Sequence, residues 1–169
     1  MKNLTQPLHD EHNELFPHVN RILDVAETVT DGNVPGLARG LEEVYTFLAD
    51  HLLAHAQAEQ AALYPAVQRA LGSPDATRTM SRDHVEVKRY VEALETLKAG
   101  IVEQSLTSAQ ASELKRVLYG LYALLKLHFA KEEEVYLPIL DRSLTPETAK
   151  AMFEQMEEAA SRARHPVGA

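Results

Sequence analysis

The chain has 169 residues, enough for one domain with a real core, and 45% hydrophobic against 25% charged residues is an ordinary balance for a globular protein. It contains no cysteine, which excludes disulfide scaffolds, thiolate zinc sites, iron–sulfur clusters and cysteine nucleophiles. A formal net charge of -8 argues against a nucleic-acid or anionic-membrane partner, and eight histidines stand out beside it.

The opening MKNLTQPLHDEHNE turns acidic before an apolar run can form, so it does not read as a secretory signal. No stretch reaches the roughly 18 apolar residues of a membrane span, and the expected location is the cytoplasm. Breakers at Asp31-Gly32-Asn33, Gly72-Ser73-Pro74, Gly100 and Ser143 to Pro146 divide the chain. Between them apolar residues recur three and four apart, as in Leu41, Val44, Tyr45 and Leu48, or Leu114, Val117, Leu118, Leu121, Leu124 and Leu125. The pattern predicts helices over 5–30, 35–70, 74–100 and 108–141, with a shorter one over 146–163. Pro35, Pro74 and Pro146 suit first helical positions. Thr107 with Gln110 can form a capping box, and Thr145 can cap the last helix. Pro17 predicts a kink or a displaced start in the first helix, while Pro65 and Pro138 should bend or end theirs. The expected fold is all-α: one domain over 1–169, with an up-down-up-down four-helix bundle over about 5–141 and an additional short C-terminal helix.

The chain also repeats itself. His12 precedes His55 by 43 residues, and His84 precedes His128 by 44. The first histidine of each pair follows an acid, Glu11 or Asp83. The second opens a matching string, His55-Ala-Gln-Ala-Glu59 running on to Leu63-Tyr64-Pro65, and His128-Phe-Ala-Lys-Glu132 running on to Tyr136-Leu137-Pro138. Each half reads as one helical hairpin.

Residues four apart share a helix face, about 6 Å apart along the axis. His55 with Glu59, and His128 with Glu132, can therefore each aim at one point. With His12 and His84 they supply four imidazoles and two carboxylates to a single core. Such groups buried together need cations as partners. Mixed imidazole and carboxylate donors suit iron or manganese better than copper or structural zinc. Two carboxylates among six donors point to two metals, with Glu59 and Glu132 bridging them.

On His12, His55 with Glu59 and Pro65, His84, and His128 with Glu132 and Pro138, the sequence resembles the hemerythrin-like (HHE cation-binding) domains over about residues 5–140. The resemblance implies a four-helix bundle around two iron ions in an oxo- or hydroxo-bridged centre, with those six residues as ligands. The oxygen-carrying members use a fifth histidine one turn from the third-helix ligand. Here those positions are Met80 and Lys88. His51, one turn before His55, could fill the gap, as could Tyr136, one turn after Glu132, or Tyr45; a tyrosine's phenolate suits Fe(III). Otherwise these tyrosines pack in the core. His9 and His18 flank His12 and are expected at the surface, with replacement of His12 by one of them as the alternative, and Glu132-Glu133-Glu134 reads as a mostly solvated run from which only Glu132 points inward. The methionines read as core filler.

No HExxH, Glu-x-x-His repeat, P-loop or GxGxxG is present. The resemblance, with fewer histidines and an open coordination position, points to handling of small oxidants. The expectations are hydrogen peroxide disproportionation or detoxification of nitric oxide and peroxide, then reversible O2 storage or sensing, then iron buffering. The expected partners are O2, H2O2 or NO, with no nucleic acid and no membrane.

Overall fold

The structure, a computed structural model, describes residues 3–29, 36–101 and 106–165. Among them there are five helices and no strand. Helix α1 is Gln6–Thr28, α2 spans 37–71, α3 is Arg78–Ala99, α4 spans 108–143 and α5 is Pro146–Arg164. Helix α1 packs on α2 and α4, α3 packs on the same two, and α5 lies along the middle of α2. Side-chain pairs fix the directions. Glu11 meets His55 and Arg21 meets Glu43, so α1 and α2 are antiparallel. Gln68 meets Thr77 while Glu42 meets Lys98, so α2 and α3 are antiparallel as well. The amide of Thr5 donates to Asp141 and His12 meets Glu133, which sets α1 against α4.

The apolar stripes seen in the sequence become two buried clusters. One joins Leu41, Val44 and Leu48 to Leu114, Leu118 and Leu121 through the long middle of the bundle. The other lies where α5 covers α2, and its Met80, Met152 and Met156 are core filler as expected. Both predicted caps are present: Thr107 accepts from the Gln110 amide at 3.2 Å, and Thr145 accepts from the Thr148 amide at 3.3 Å. Gly120, inside α4, makes room for Tyr90 of α3, whose Cζ would lie 2.7 Å from an added Cβ.

One expectation changes and two are narrowed. Pro74 does not open α3, which starts at Arg78. Residues 74–77 form a turn instead, held by Gln68 donating to Thr77 Oγ1 at 2.8 Å and Tyr136 donating to Ala76 O at 3.0 Å. Pro17 does not displace the start of α1, which runs through it from Gln6. Pro65 and Pro138 end neither helix, since α2 continues to Leu71 and α4 to Ser143. The first helical position predicted for Pro35 lies outside the described residues.

The reason the prolines are tolerated also shapes the site. Each follows a π turn, Glu59–Leu63 in α2 and Glu132–Tyr136 in α4. In these wide turns the Tyr64 amide bonds to Glu59 O and the Leu137 amide bonds to Glu132 O, five residues back rather than four. Proline has no N–H to donate, so the ladder loses a bond at the next residue in any case. A third π turn, Phe47–Leu52, lies earlier in α2.

Candidate metal centre

The six residues singled out by spacing come together. His12, His55, Glu59, His128 and Glu132 are buried and His84 nearly so. They form two groups, His12, His55, Glu59 and Glu132 in one, and Glu59, His84 and His128 in the other, with ligand-type atoms in each within 4.8 Å of one another. The carboxylates connect the groups. Glu59 Oε1 lies 2.9 Å from His55 Nε2 and 3.7 Å from His12 Nε2, while its Oε2 lies 3.2 Å from His84 Nε2 and 3.9 Å from His128 Nε2. Glu132 does the same, with Oε2 3.7 Å from His12 Nε2 and Oε1 3.4 Å from His128 Nε2.

These atoms converge without satisfying one another. His12 Nε2, His55 Nε2, both Glu59 oxygens and Glu132 Oε2 are buried with no aligned hydrogen-bond partner. Leaving buried polar groups unpaired costs about 1–3 kcal/mol each, more when they are charged. Donors that share one focus, yet fail to bond each other, are what cations between them would satisfy. The donor set, imidazole nitrogens and carboxylate oxygens, fits iron.

The other ring nitrogens are held from outside. His55 Nδ1 meets Glu11 at 2.9 Å, His128 Nδ1 meets Asp83 at 3.2 Å, and His12 Nδ1 meets Glu133 at 2.5 Å. A carboxylate on the far nitrogen fixes the ring's orientation and makes the near nitrogen a better donor. In each half, the acid that precedes the first histidine thus steers the second one. The sequence showed those acids but not their targets, and Glu133, read as part of a solvated run, is a third of the kind. Glu11→Gln or Asp83→Asn should each weaken Co2+ binding by about 10–100-fold. Unchanged titration curves for both variants would refute the steering role.

The charges balance inside this frame. Burial opposes a charge on His55 and His128, but the surrounding carboxylates outweigh it and push the rings up to about 10 and about 11. Burial also works against Glu59, yet His55, His12 and His128 hold it well below the usual carboxylate range. Burial and then the Glu59 charge push Glu132 up. Asp83 is held below its usual range, against its burial, by His128 and Lys131.

Tyr64 supplies what the sequence did not reveal. Its hydroxyl donates to Glu132 Oε1 at 3.0 Å and lies 3.1 Å from His84 Nε2 and 3.4 Å from His128 Nε2. Burial, then Glu59 and Glu132, push its ionisation up, so without a cation it stays protonated. The sequence pointed to His51, Tyr45 or Tyr136 for an extra donor, and none of the three faces the cluster. Tyr136 is bonded to Ala76 O, and Tyr45 sits under Lys98 Nζ, 4.1 Å from its ring centre. His51 is exposed on the groove between α1 and α2, beside His18 and Phe47. The π turns account for two of these. In α4 the residue above Glu132 is the fifth on, Leu137, so Tyr136 turns away; in α2 the fifth after Glu59 is Tyr64. The Phe47–Leu52 turn likewise spoils the four-residue stacking of His51 on His55.

The fold and site define an all-α protein with a buried histidine–carboxylate cluster suited to a pair of cations. The family model of the hemerythrin HHE cation binding domain matches residues 3–140, and the chain belongs to that family. No curated protein and no solved structure matches it. Among the described residues, no helix is long and apolar enough to cross a membrane.

Proposed function

We propose that this protein is a di-iron oxidoreductase for small oxidants, with hydrogen peroxide disproportionation or detoxification of peroxide and nitric oxide as its work. The observation that carries the proposal is the split of both carboxylates: Glu59 and Glu132 each turn one oxygen to His12 and one to His128 or its neighbour, the arrangement required to bridge two ions. Two irons there would supply Lewis acidity and a store of electrons. Disproportionation balances without a further reductant, two peroxides giving one dioxygen and two waters.

The chain's own groups fit small, uncharged substrates. A cavity of about 10 Å3, walled on its apolar side by Leu52, Val87, Leu125 and Phe129, reaches His55, His84 and Glu59. That is room for about one water-sized molecule. Tyr64 holds a proton at its hydroxyl, directed at Glu132 Oε1, within the same buried cluster. Phe129 packs its ring against His12, 4.7 Å between centroids, and excludes water from that side.

The apolar cavity also favours a second reading, reversible O2 binding. One sample decides between them. Iron is counted per chain, the protein is reduced without air, and the spectrum is followed on adding O2 and, separately, H2O2. Two irons and rapid O2 evolution from peroxide are expected. A lasting O2 adduct without peroxide turnover would establish the second reading, and no iron after growth in ample iron would overturn both.

A further inference from the structure

The four histidines of the cluster are not held alike. His12, His55 and His128 side chains are 1%, 4% and 3% exposed, and each has its Nδ1 bonded to a carboxylate. The His84 side chain is 14% exposed. Among the described residues no side chain bonds its Nδ1; its contacts run through Nε2 alone, to Tyr64, His128 and Glu59. Like His12 on α1, His84 is the one residue of the cluster on its helix, so its rotation drags no second donor with it. Val85, next to it in the chain, and Arg82, two residues before it, are exposed, so a ring that swings out has solvent beside it.

From this we infer that His84 is the detachable ligand of the centre: ions pass in and out past its ring, and the position it shares with His128 fills second and empties first. The inference rests on the two-ion reading above and adds an order and a route to it. Its physical basis is the outer carboxylate. Tethering of this kind changes metal affinity by about 10–100-fold, and one of the two positions lacks it on one of its imidazoles. Glu59 belongs to both positions, whereas Glu132 belongs to the first and reaches the second only through His128, so the carboxylates favour the same order. The hydroxyl of Tyr64 lies on the His84 side and is engaged with Glu132 Oε1 at 3.0 Å.

The test uses the metal-free full chain and Co2+. Titration, followed by visible absorption and calorimetry, should show two steps, the first at least about tenfold tighter. A chelator added to the loaded protein should remove one equivalent quickly and the other slowly. His84→Ala should keep one equivalent with the affinity of the tighter step and lose the other, with helicity by circular dichroism confirming the fold. The chelator experiment needs no variant, so a misfolded His84→Ala does not spare the inference. Two equivalents that bind in one step and leave at one rate would overturn the order while leaving the two-ion reading intact. Uptake of no ion by the wild-type chain would overturn both.

Discussion

Glu59→Gln should empty the centre. Metal content is expected to fall from two ions per chain to almost none, measured by elemental analysis on protein loaded under anaerobic conditions. The reason is geometric. Glu59 is the one side chain that belongs to both donor groups, and both its oxygens are buried without a hydrogen-bond partner. One serves His12 and His55, the other His84 and His128. An amide keeps the shape but removes the charge and turns an N–H2 donor toward nitrogens that would otherwise face a cation. Glu59→Ala should have the same outcome. Glu132→Gln and Glu132→Ala should also cost most of the metal, since Glu132 faces His12 on one side and His128 and Tyr64 on the other. If either position can be neutralised with two ions retained, it does not bridge.

As pH rises, metal-free protein should lose stability while the stabilisation brought by metal should grow. Without metal, His55 and His128 are protonated far above the ordinary histidine value of 6.5, up to about 10 and about 11. A group whose pKa is raised by folding stabilises the fold fully below its unfolded value. That stabilisation is lost as pH climbs from about 6.5 through the folded values. Glu132, also raised, acts in the same direction in its own range. Glu59 is depressed and does the reverse: its stabilisation is present above the ordinary 4.5 and is lost as pH falls below it. The metal-free chain should therefore be most stable between pH 4.5 and 6.5 and lose Tm steadily toward pH 10. For a domain of this size each 1 kcal/mol is about 2–4 °C. Ions need neutral imidazoles and ionised carboxylates. Loading should release protons, and the gain in Tm on loading should grow with pH. Thermal scans from pH 5 to 9, with and without metal, measure both. A metal-free Tm that rises across that range would contradict the assignment of protons to His55 and His128.

Much of this was legible before the structure because it depends on spacing within ordinary helix. Leu53–Ala58 is regular α-helix, as is α4 up to Lys131, so four residues do place Glu59 beside His55 and Glu132 beside His128. The caps at Thr107 and Thr145 were legible for the same local reason. What failed is what crosses a π turn. A rule of four steps selects Tyr136 and passes over Tyr64, since nothing in Leu63-Tyr64-Pro65 announces that the turn before it is wider; the proline is the one hint. The start of α3 was misplaced because Thr77 and Ala76 are held by Gln68 of α2 and Tyr136 of α4, partners on other helices. The roles of Glu11, Asp83 and Glu133 are relations between helices, which no single helix's periodicity contains.

The paired π turns bear on how such a molecule came to be unequal at its two ends. Each half has its histidine, a glutamate four on, the surplus residue in the turn that follows, and the proline after it. A hairpin doubled in this way serves as its own control experiment. What both copies keep is what the buried cluster asks of any copy. What only one copy has is free to differ: Tyr64 where the other half has Leu137, Phe129 where it has Ala56, Glu133 where it has Gln60. The shared set describes a symmetric cage, and those three exchanges give its two halves their individuality.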